Sequence, residues 1–343
     1  MSRTSVLGLH HVTATVDTAQ ADLDFFIELL GLRLVKKTVN FDNRNVYHFY
    51  YGDEYGTPGT IWTTFPYTGR GVPVGTKGAG QITVTSFSVP ARSLEFWKDR
   101  LLGWLTPDRL QDISLEQSRT VAGEESMAFS DPSGLVIALV ANDEDSREPW
   151  SGRQATSRAD GEVLPASSRP PAIGLPDSRC AIRGLHSVTM TTAAPAPTID
   201  FMRSLLGFEV THEAGCRTRL GVNGGGPGRS IDIVESHDAV PAKNGLGTVH
   251  HVAMAVATDG EQLAIREDVV RLGVQVTPVL DRQYFRSIYF REPGGVLFEI
   301  ATIGPGFAVD EDVDHLGRAL KLPPWEEPNR HIIQAGLAPI VHR

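Results

Sequence analysis

LHHVTATV (9–16), TVTSFSV (83–89), LHSVTMTT (185–192) and VHHVAMAV (249–256) are four versions of one strand-like run. Each carries the apolar–polar alternation of a strand with one buried face. Three are followed by a helical stretch that ends in a glycine turn: DLDFFIELLGL (22–32), SLEFWKDRLLGW (93–104) and TIDFMRSLLGF (198–208). Phe, Leu and Ile recur there at helical spacing, and the glycine supplies a C-cap. The fourth stretch, EQLAIREDVVRLGV (261–274), follows the same plan. Short strands around glycine turns then close each unit, in PGTIWTTF (58–65), DPSGLVIALV (131–140), GRSIDIVE (228–235) and EPGGVLFEIA (292–301). An acid, Pro, any residue and Gly before an apolar run read as a turn followed by a strand. Strand, helix and three strands therefore recur four times, which predicts an α+β fold of four βαβββ modules.

The segment 142–181 breaks this pattern. It is rich in Ser, Arg, Pro, Asp and Gly and poor in apolar residues, the composition of a linker. It divides an N-terminal domain of two modules (1–141) from a C-terminal domain of two modules (182–304), each expected to form concave mixed sheets. Residues 305–343 remain as a C-terminal helix and arm. The helix is expected in VDEDVDHLGRALKL (309–322), ahead of PPWEEP.

Composition narrows the class of protein. With 343 residues, 41% of them hydrophobic, there is enough apolar material for two cores. A net charge of −9 argues against nucleic acid or anionic membrane as a partner. Cys180 and Cys216 are the two cysteines, too few for a disulfide framework or a thiolate metal cluster. The opening MSRTSVLGLHHVTATV has no apolar leader. No run approaches the roughly 18 apolar residues of a membrane span. A soluble protein in a reducing, cytoplasmic setting is expected.

Strand parity assigns faces. Val12, Ala14 and Val16 form the apolar face that packs on the helix, so His11, Thr13 and Thr15 point the other way. In the fourth module Val252, Met254 and Val256 face the helix and His251 points away. His11 and His251 thus share the concave face, whereas His10, His186 and His250 fall on the opposite one. Glu299 lies between Phe298 and Ile300 in an apolar closing strand, and a buried carboxylate needs a partner. The second module has Ala138 at the equivalent place, so the repeat itself does not demand the acid. Two histidines and a carboxylate on concave faces match the ligand triad of non-haem Fe(II) oxygenases. The same set could hold Zn or Mn. His48, His212, His237, His315, His331 and His342 have no repeat partner and read as surface or packing residues. GGGPG (224–228) reads as a hairpin turn, because no Lys-Ser/Thr follows it.

The repeat and the triad together resemble the vicinal oxygen chelate superfamily, which includes glyoxalase I, extradiol dioxygenases and antibiotic-resistance proteins. More narrowly, LHHVTAT, VHHVAMAV, DRQYFRSIYFREPGGVLFEIAT (281–302) and the tail VDEDVDHLGRALKLPPWEEP (309–328) are similar to hydroquinone ring-cleaving dioxygenases of the 2,6-dichlorohydroquinone and methylhydroquinone type. That resemblance implies one Fe(II) between the first and fourth modules, held by His11, His251 and Glu299. It implies catalytic positions at Tyr289, His250 and Arg282, with Thr13 and His10 near the substrate. The partners it implies are a small aromatic substrate and O₂, with self-association into a homo-oligomer left open. Two alternatives stand beside it. A glyoxalase-type metal-dependent isomerase or lyase usually takes a second carboxylate ligand, where this chain offers Thr63. A non-catalytic small-molecule-binding resistance protein would use an apolar cleft without a full triad.

Overall fold

The first module opens with β1 (Gly8–Val16) and α1 (Ala19–Leu23) and closes with β2 (Arg33–Asn40), β3 (Asn43–Gly52) and β4 (Ile61–Pro66). After Leu23 the helix continues in a wider turn, with Leu30 N–H donating to the Phe25 carbonyl at 2.9 Å, and Gly31 ends it at φ 73°. The second module contains β5 (Gln81–Val89), α2 (Leu94–Trp104), β6 (Glu116–Arg119), β7 (Glu125–Ser130) and β8 (Val136–Ala141). The third contains β9 (Gly184–Thr192), α3 (Pro195–Leu206), β10 (Glu209–Ala214), β11 (Arg217–Gly221) and β12 (Ser230–Glu235). The fourth contains β13 (Thr248–Val256), α4 (Asp259–Arg271), β14 (Leu280–Asp281), β15 (Arg286–Arg291) and β16 (Leu297–Thr302). Thr258 and Glu261 start α4 with a reciprocal capping box. This computed structural model describes residues 6–104, 115–150, 152 and 174–342. Most of the expected linker, residue 151 and residues 153–173, lies outside them.

Two eight-stranded sheets result, in the orders β14-β15-β16-β13-β1-β4-β3-β2 and β10-β11-β12-β9-β5-β8-β7-β6. Modules one and four share the first, and modules two and three share the second. The expected division into an N-terminal and a C-terminal pair therefore does not coincide with the sheets. Each opening strand runs parallel to the closing strand of its own module. Its other edge is completed by an opening strand from the far side of the linker, β13 against β1 and β9 against β5. The helix-facing residues Val12, Ala14, Val16, Val188, Met190, Val252 and Met254 are all fully buried in one core. No helix among the described residues is long and apolar enough to cross a membrane.

The tail departs from its expected form. Residues 309–322 make only single turns, at Phe307–Val309 and Val313–His315, and the helix comes later as α5 (Arg330–Gly336). Two acids of this segment turn inward. Asp310 and Glu311 pair with the fully buried Lys36 at 2.7 and 2.9 Å. Phe307 and Leu316 join a small apolar cluster with Val35, Tyr50, Ile61, Tyr284 and Phe285 on the concave side of the first sheet. The arm therefore caps that cup.

Candidate metal centre

β1, β13 and β16 are neighbours in the first sheet, and each sends one donor into its concave side. His11 Nε2 lies 3.2 Å from Glu299 Oε2, His251 Nε2 lies 2.9 Å from the same oxygen, and the two nitrogens are 3.3 Å apart. All three residues are buried. Ser287 donates a short hydrogen bond to Glu299 Oε1, which aims Oε2 at the imidazoles. Burial would raise the Glu299 carboxyl, but the two histidines outweigh it and hold the group well below the usual carboxylate range. Burial likewise holds His251 low, against the pull of Glu299.

Consecutive histidines support this cluster because the strands bulge. His10 is unpaired between Leu9 and His11 in the β1–β13 ladder, and His250 is unpaired between Val249 and His251. Thr83 and His186 occupy the same bulged position in β5 and β9. An extra residue breaks the two-residue alternation and re-aims a side chain. His10 and His250 therefore stand on the concave side, not on the helix face that parity predicts. His10 and His11 both pack on Phe285, with ring centroids 4.9 and 5.2 Å away. His10 Nδ1 sits 2.8 Å from His11 Nδ1, and His250 Nδ1 sits 2.8 Å from His251 Nδ1. The Thr302 backbone carbonyl binds the His10 ring, which leaves His10 Nδ1 to accept the proton of His11 Nδ1. His11 Nε2 then presents a lone pair to the cluster. Burial, aided by the adjacent imidazole, lowers His10 and His250 to about 3, so both remain neutral.

A cavity of about 30 Å³ opens beside the triad, lined by His11, Asn40, His48, Tyr50, His251, Arg282, Phe285 and Tyr289 among others. Tyr289 is 5.6 Å from the His251 ring, and its hydroxyl accepts from Arg282 Nε at 3.2 Å. Burial pushes the Tyr289 phenol upward. Arg282 reaches on to Asp42 at 3.1 Å. Of the expected site residues, His10, Thr13 and His250 stand behind this wall rather than in it. Thr13 accepts a 2.8 Å hydrogen bond from the Thr63 hydroxyl.

His48 is not the surface or packing residue expected from its lack of a repeat partner. Its Nε2 is 3.0 Å from Thr63 Oγ1 and its Nδ1 is 2.9 Å from the Tyr50 hydroxyl. Burial and the imidazoles of His11 and His251 lower it well below the ordinary histidine range. Tyr50 is pushed well up by burial. The alternation Val46-Tyr47-His48-Phe49-Tyr50-Tyr51 was the available signal, since it sets His48 and Tyr50 on one face.

The donor set fits a divalent metal. Three donors about 2.1 Å from one ion stand about 3.0 to 3.4 Å apart, depending on coordination geometry. The observed triangle has sides of 2.9 to 3.3 Å. Glu299 Oε2 is buried without any hydrogen-bond donor, although two ring nitrogens approach it. Two ring nitrogens and a carboxylate oxygen facing one point form a set that a divalent cation would satisfy.

These features define a class. The description of the glyoxalase/bleomycin resistance protein/dioxygenase superfamily matches residues 184–300. The chain belongs to this superfamily, and its relatives over nearly their whole length are ring-cleaving dioxygenases by name. It is 38% identical over 333 residues to MhqO of Bacillus subtilis (strain 168), named provisionally as a ring-cleaving dioxygenase, with 97% of this chain and 96% of that one covered. It is 35% identical over 330 residues to the chlorohydroquinone/hydroquinone 1,2-dioxygenase of Sphingobium indicum, with 94% and 93% covered. A crystal structure from Bacillus subtilis subsp. subtilis str. 168, described provisionally as a dioxygenase, superposes with a TM-score of 0.83 at 37% identity over 99% of both chains. Glyoxalase I from Zea mays shares the fold, with a TM-score of 0.58 at 12% identity over 86% of this chain and 92% of that one.

Proposed function

We propose that the protein is an Fe(II)-dependent ring-cleaving dioxygenase that opens a hydroquinone-type ring with O₂. The observation that carries this reading is the buried triangle of His11, His251 and Glu299 at the floor of a closed cavity, in a chain whose relatives include a hydroquinone dioxygenase. Three protein donors leave open positions, where a bound redox-active ion would bring a substrate hydroxyl and O₂ together and pass electrons between them. Manganese or zinc could take the same donors on isolation.

The surrounding residues bind and orient. His10 and His250 fix the rings of His11 and His251 so that each Nε2 faces the ion. Arg282 and Tyr289, held charged and neutral respectively by their surroundings, donate to the oxygen of an ionised hydroxyl and steady negative charge as it develops. His250 Nδ1, 2.8 Å from His251 Nδ1, positions that ring as a neutral partner. Phe285 and Phe41 supply apolar wall and exclude water. A cavity of about 30 Å³ is far below the roughly 300 Å³ of ordinary ligand pockets. Substrate entry therefore requires the Asn40–Asp42 turn and Arg282 to part. An isomerase of the glyoxalase type is disfavoured, because Thr63 stands where a further carboxylate would be needed and is bonded to Thr13 and His48.

Metal analysis combined with O₂ uptake tests the reading. Protein loaded anaerobically with Fe(II) is expected to consume O₂ with substituted hydroquinones, and Glu299→Ala is expected to lose both iron and uptake. Wild-type iron content in Glu299→Ala, or no uptake across a broad phenol panel with iron verified, would refute it.

A further inference from the structure

We propose that Tyr50, oriented by His48, is a fixed hydrogen-bond acceptor that selects substrates bearing a second, free hydroxyl. The inference rests on the reading above for where the first hydroxyl binds. Its support is the direction of one hydrogen-bond chain.

Thr63 Oγ1 donates to Thr13 Oγ1 at 2.8 Å. Its single proton is thereby committed, so toward His48 it can only accept. His48 Nε2, 3.0 Å away, must then carry the ring proton. In the neutral imidazole this leaves a lone pair on Nδ1, and Nδ1 lies 2.9 Å from the Tyr50 hydroxyl. Tyr50 O–H therefore points at His48. What Tyr50 can offer anything else in the cavity is a lone pair.

The other polar side chains of the wall have the opposite polarity or are engaged. Arg282 has only donors, and the Tyr289 oxygen already accepts from it. Asn40 Oδ1 accepts from Asp42 N–H at 2.9 Å. The lone pairs of His11 and His251 aim at the triad. Among the described residues Tyr50 has one side-chain hydrogen bond and no donor directed at its oxygen. A buried acceptor without a donor favours a ligand that supplies one, and disfavours an isostere that does not. A hydroxyl away from the metal-bound one is that donor; an ether oxygen in its place is not.

The test is equilibrium binding of hydroquinone and of 4-methoxyphenol to the Fe(II)-loaded full chain without O₂. Wild type is expected to favour hydroquinone by roughly tenfold, beyond the twofold statistical advantage of its two equivalent hydroxyls. Tyr50→Phe should bring the ratio close to that statistical value while 4-methoxyphenol affinity stays within about threefold. His48→Phe keeps a ring but frees the Tyr50 proton to turn into the cavity, so 4-methoxyphenol should gain affinity relative to hydroquinone. Iron content and thermal midpoint establish that each variant is folded and loaded. An unchanged ratio in Tyr50→Phe overturns the proposal. So does a parallel loss of both affinities, which would mark a packing role. If loaded wild type binds neither phenol, the dioxygenase reading itself fails.

Discussion

The two cups of the molecule are built alike and treat a buried acid in opposite ways. Glu299 on β16 is level with Ala253 of β13, and Asp232 on β12 is level with Thr189 of β9, the same place in the repeat. Across the neighbouring strand, Arg219 stands opposite Asp232 and Tyr289 stands opposite Glu299. Arg219 grips Asp232 at 2.6 and 2.8 Å and reaches Glu124 at 2.8 Å. Glu124 in turn meets His186 at 2.9 Å. The second cup thus neutralises its acid with its own guanidinium. In the first cup the facing residue is a phenol, and at the remaining positions His11 and His251 replace Val84 and Ser187. A buried carboxylate needs a cation, and in the first cup the metal proposed for His11, His251 and Glu299 would supply it.

The largest effect should come from moving one solution into the other cup. Tyr289→Arg places a guanidinium opposite Glu299, as Arg219 stands opposite Asp232. Metal affinity is expected to fall on the order of 100-fold or more, with the metal-free protein at least as stable as wild type. Calorimetric titration with Fe(II) or Zn(II), alongside a melting curve, reads both. Undiminished metal affinity would break the comparison. The converse change, Arg219→Met, leaves the buried Asp232 without its cation, while the partly exposed Glu124 keeps His186 and Asn142. It should cost about 3 to 5 kcal/mol of stability while metal binding in the other cup persists. A variant that keeps its stability but loses metal would show that the cups are not independent.

Much of this contrast could be read from the residues, and its limits have physical causes. The four modules and the shared face of His11, His251 and Glu299 follow from repetition and the two-residue period of a strand. Parity misplaced His10 and His250 because a bulge inserts one residue without any signature in the alternation. Which modules share a sheet depends on edge-to-edge pairing across the linker, which no local pattern encodes. His48 was passed over because it has no counterpart in the other modules, yet uniqueness within a repeat is what marks a site. Asp310 and Glu311 meet Lys36 across 274 and 275 residues of chain, a separation over which no local pattern signals a pair.

A smaller effect is expected at the seams where each helix meets the next module. In the C-terminal half, the Thr198 hydroxyl donates to Glu292 at 2.7 Å. At the equivalent place in the N-terminal half stand two acids, Asp22 and Asp131, both buried. Asp22 is raised to about 7 by burial, with Asp131 adding to the rise against bonds from Thr64 and Tyr51. Asp131 is raised to about 7 by burial. The folded state thus keeps protons between pH ~4 and ~7 that the unfolded chain has released, so this contribution to stability falls as pH rises through that window and is flat above it. His10, His48 and His250 act in the opposite sense, so the difference between variants is the quantity to measure. Urea unfolding from pH 5 to 8 should show Asp22→Asn gaining on wild type as pH rises, by about 3 kcal/mol at most over that range. A difference that does not change with pH would remove the second contrast.

The smallest effect concerns the lips of the cups. The β2–β3 hairpin rims the first cup, and the C-terminal arm holds it down: Trp325 packs on Phe41 at 5.6 Å and Glu326 meets Arg44 at 3.2 Å. Its counterpart β10, in the β10–β11 hairpin of the second cup, is exposed along its whole length. Across the first mouth Asp42 reaches Arg282, but Asp42 is 74% exposed, and such a pair contributes only about 0 to 1 kcal/mol. A tie that weak can close a mouth without locking it, which suits a cavity that must open to admit a ring. Asp42→Asn should leave metal content unchanged and stability within about 0.5 kcal/mol, while hydroquinone association measured by stopped flow rises a few-fold. Arg282 keeps its bond to Tyr289 in this variant, so the dissociation rate of bound hydroquinone should move less than its arrival. If arrival is unchanged and departure alone quickens, Asp42 acts on the bound substrate through Arg282, and the hairpin is a wall and not a cover.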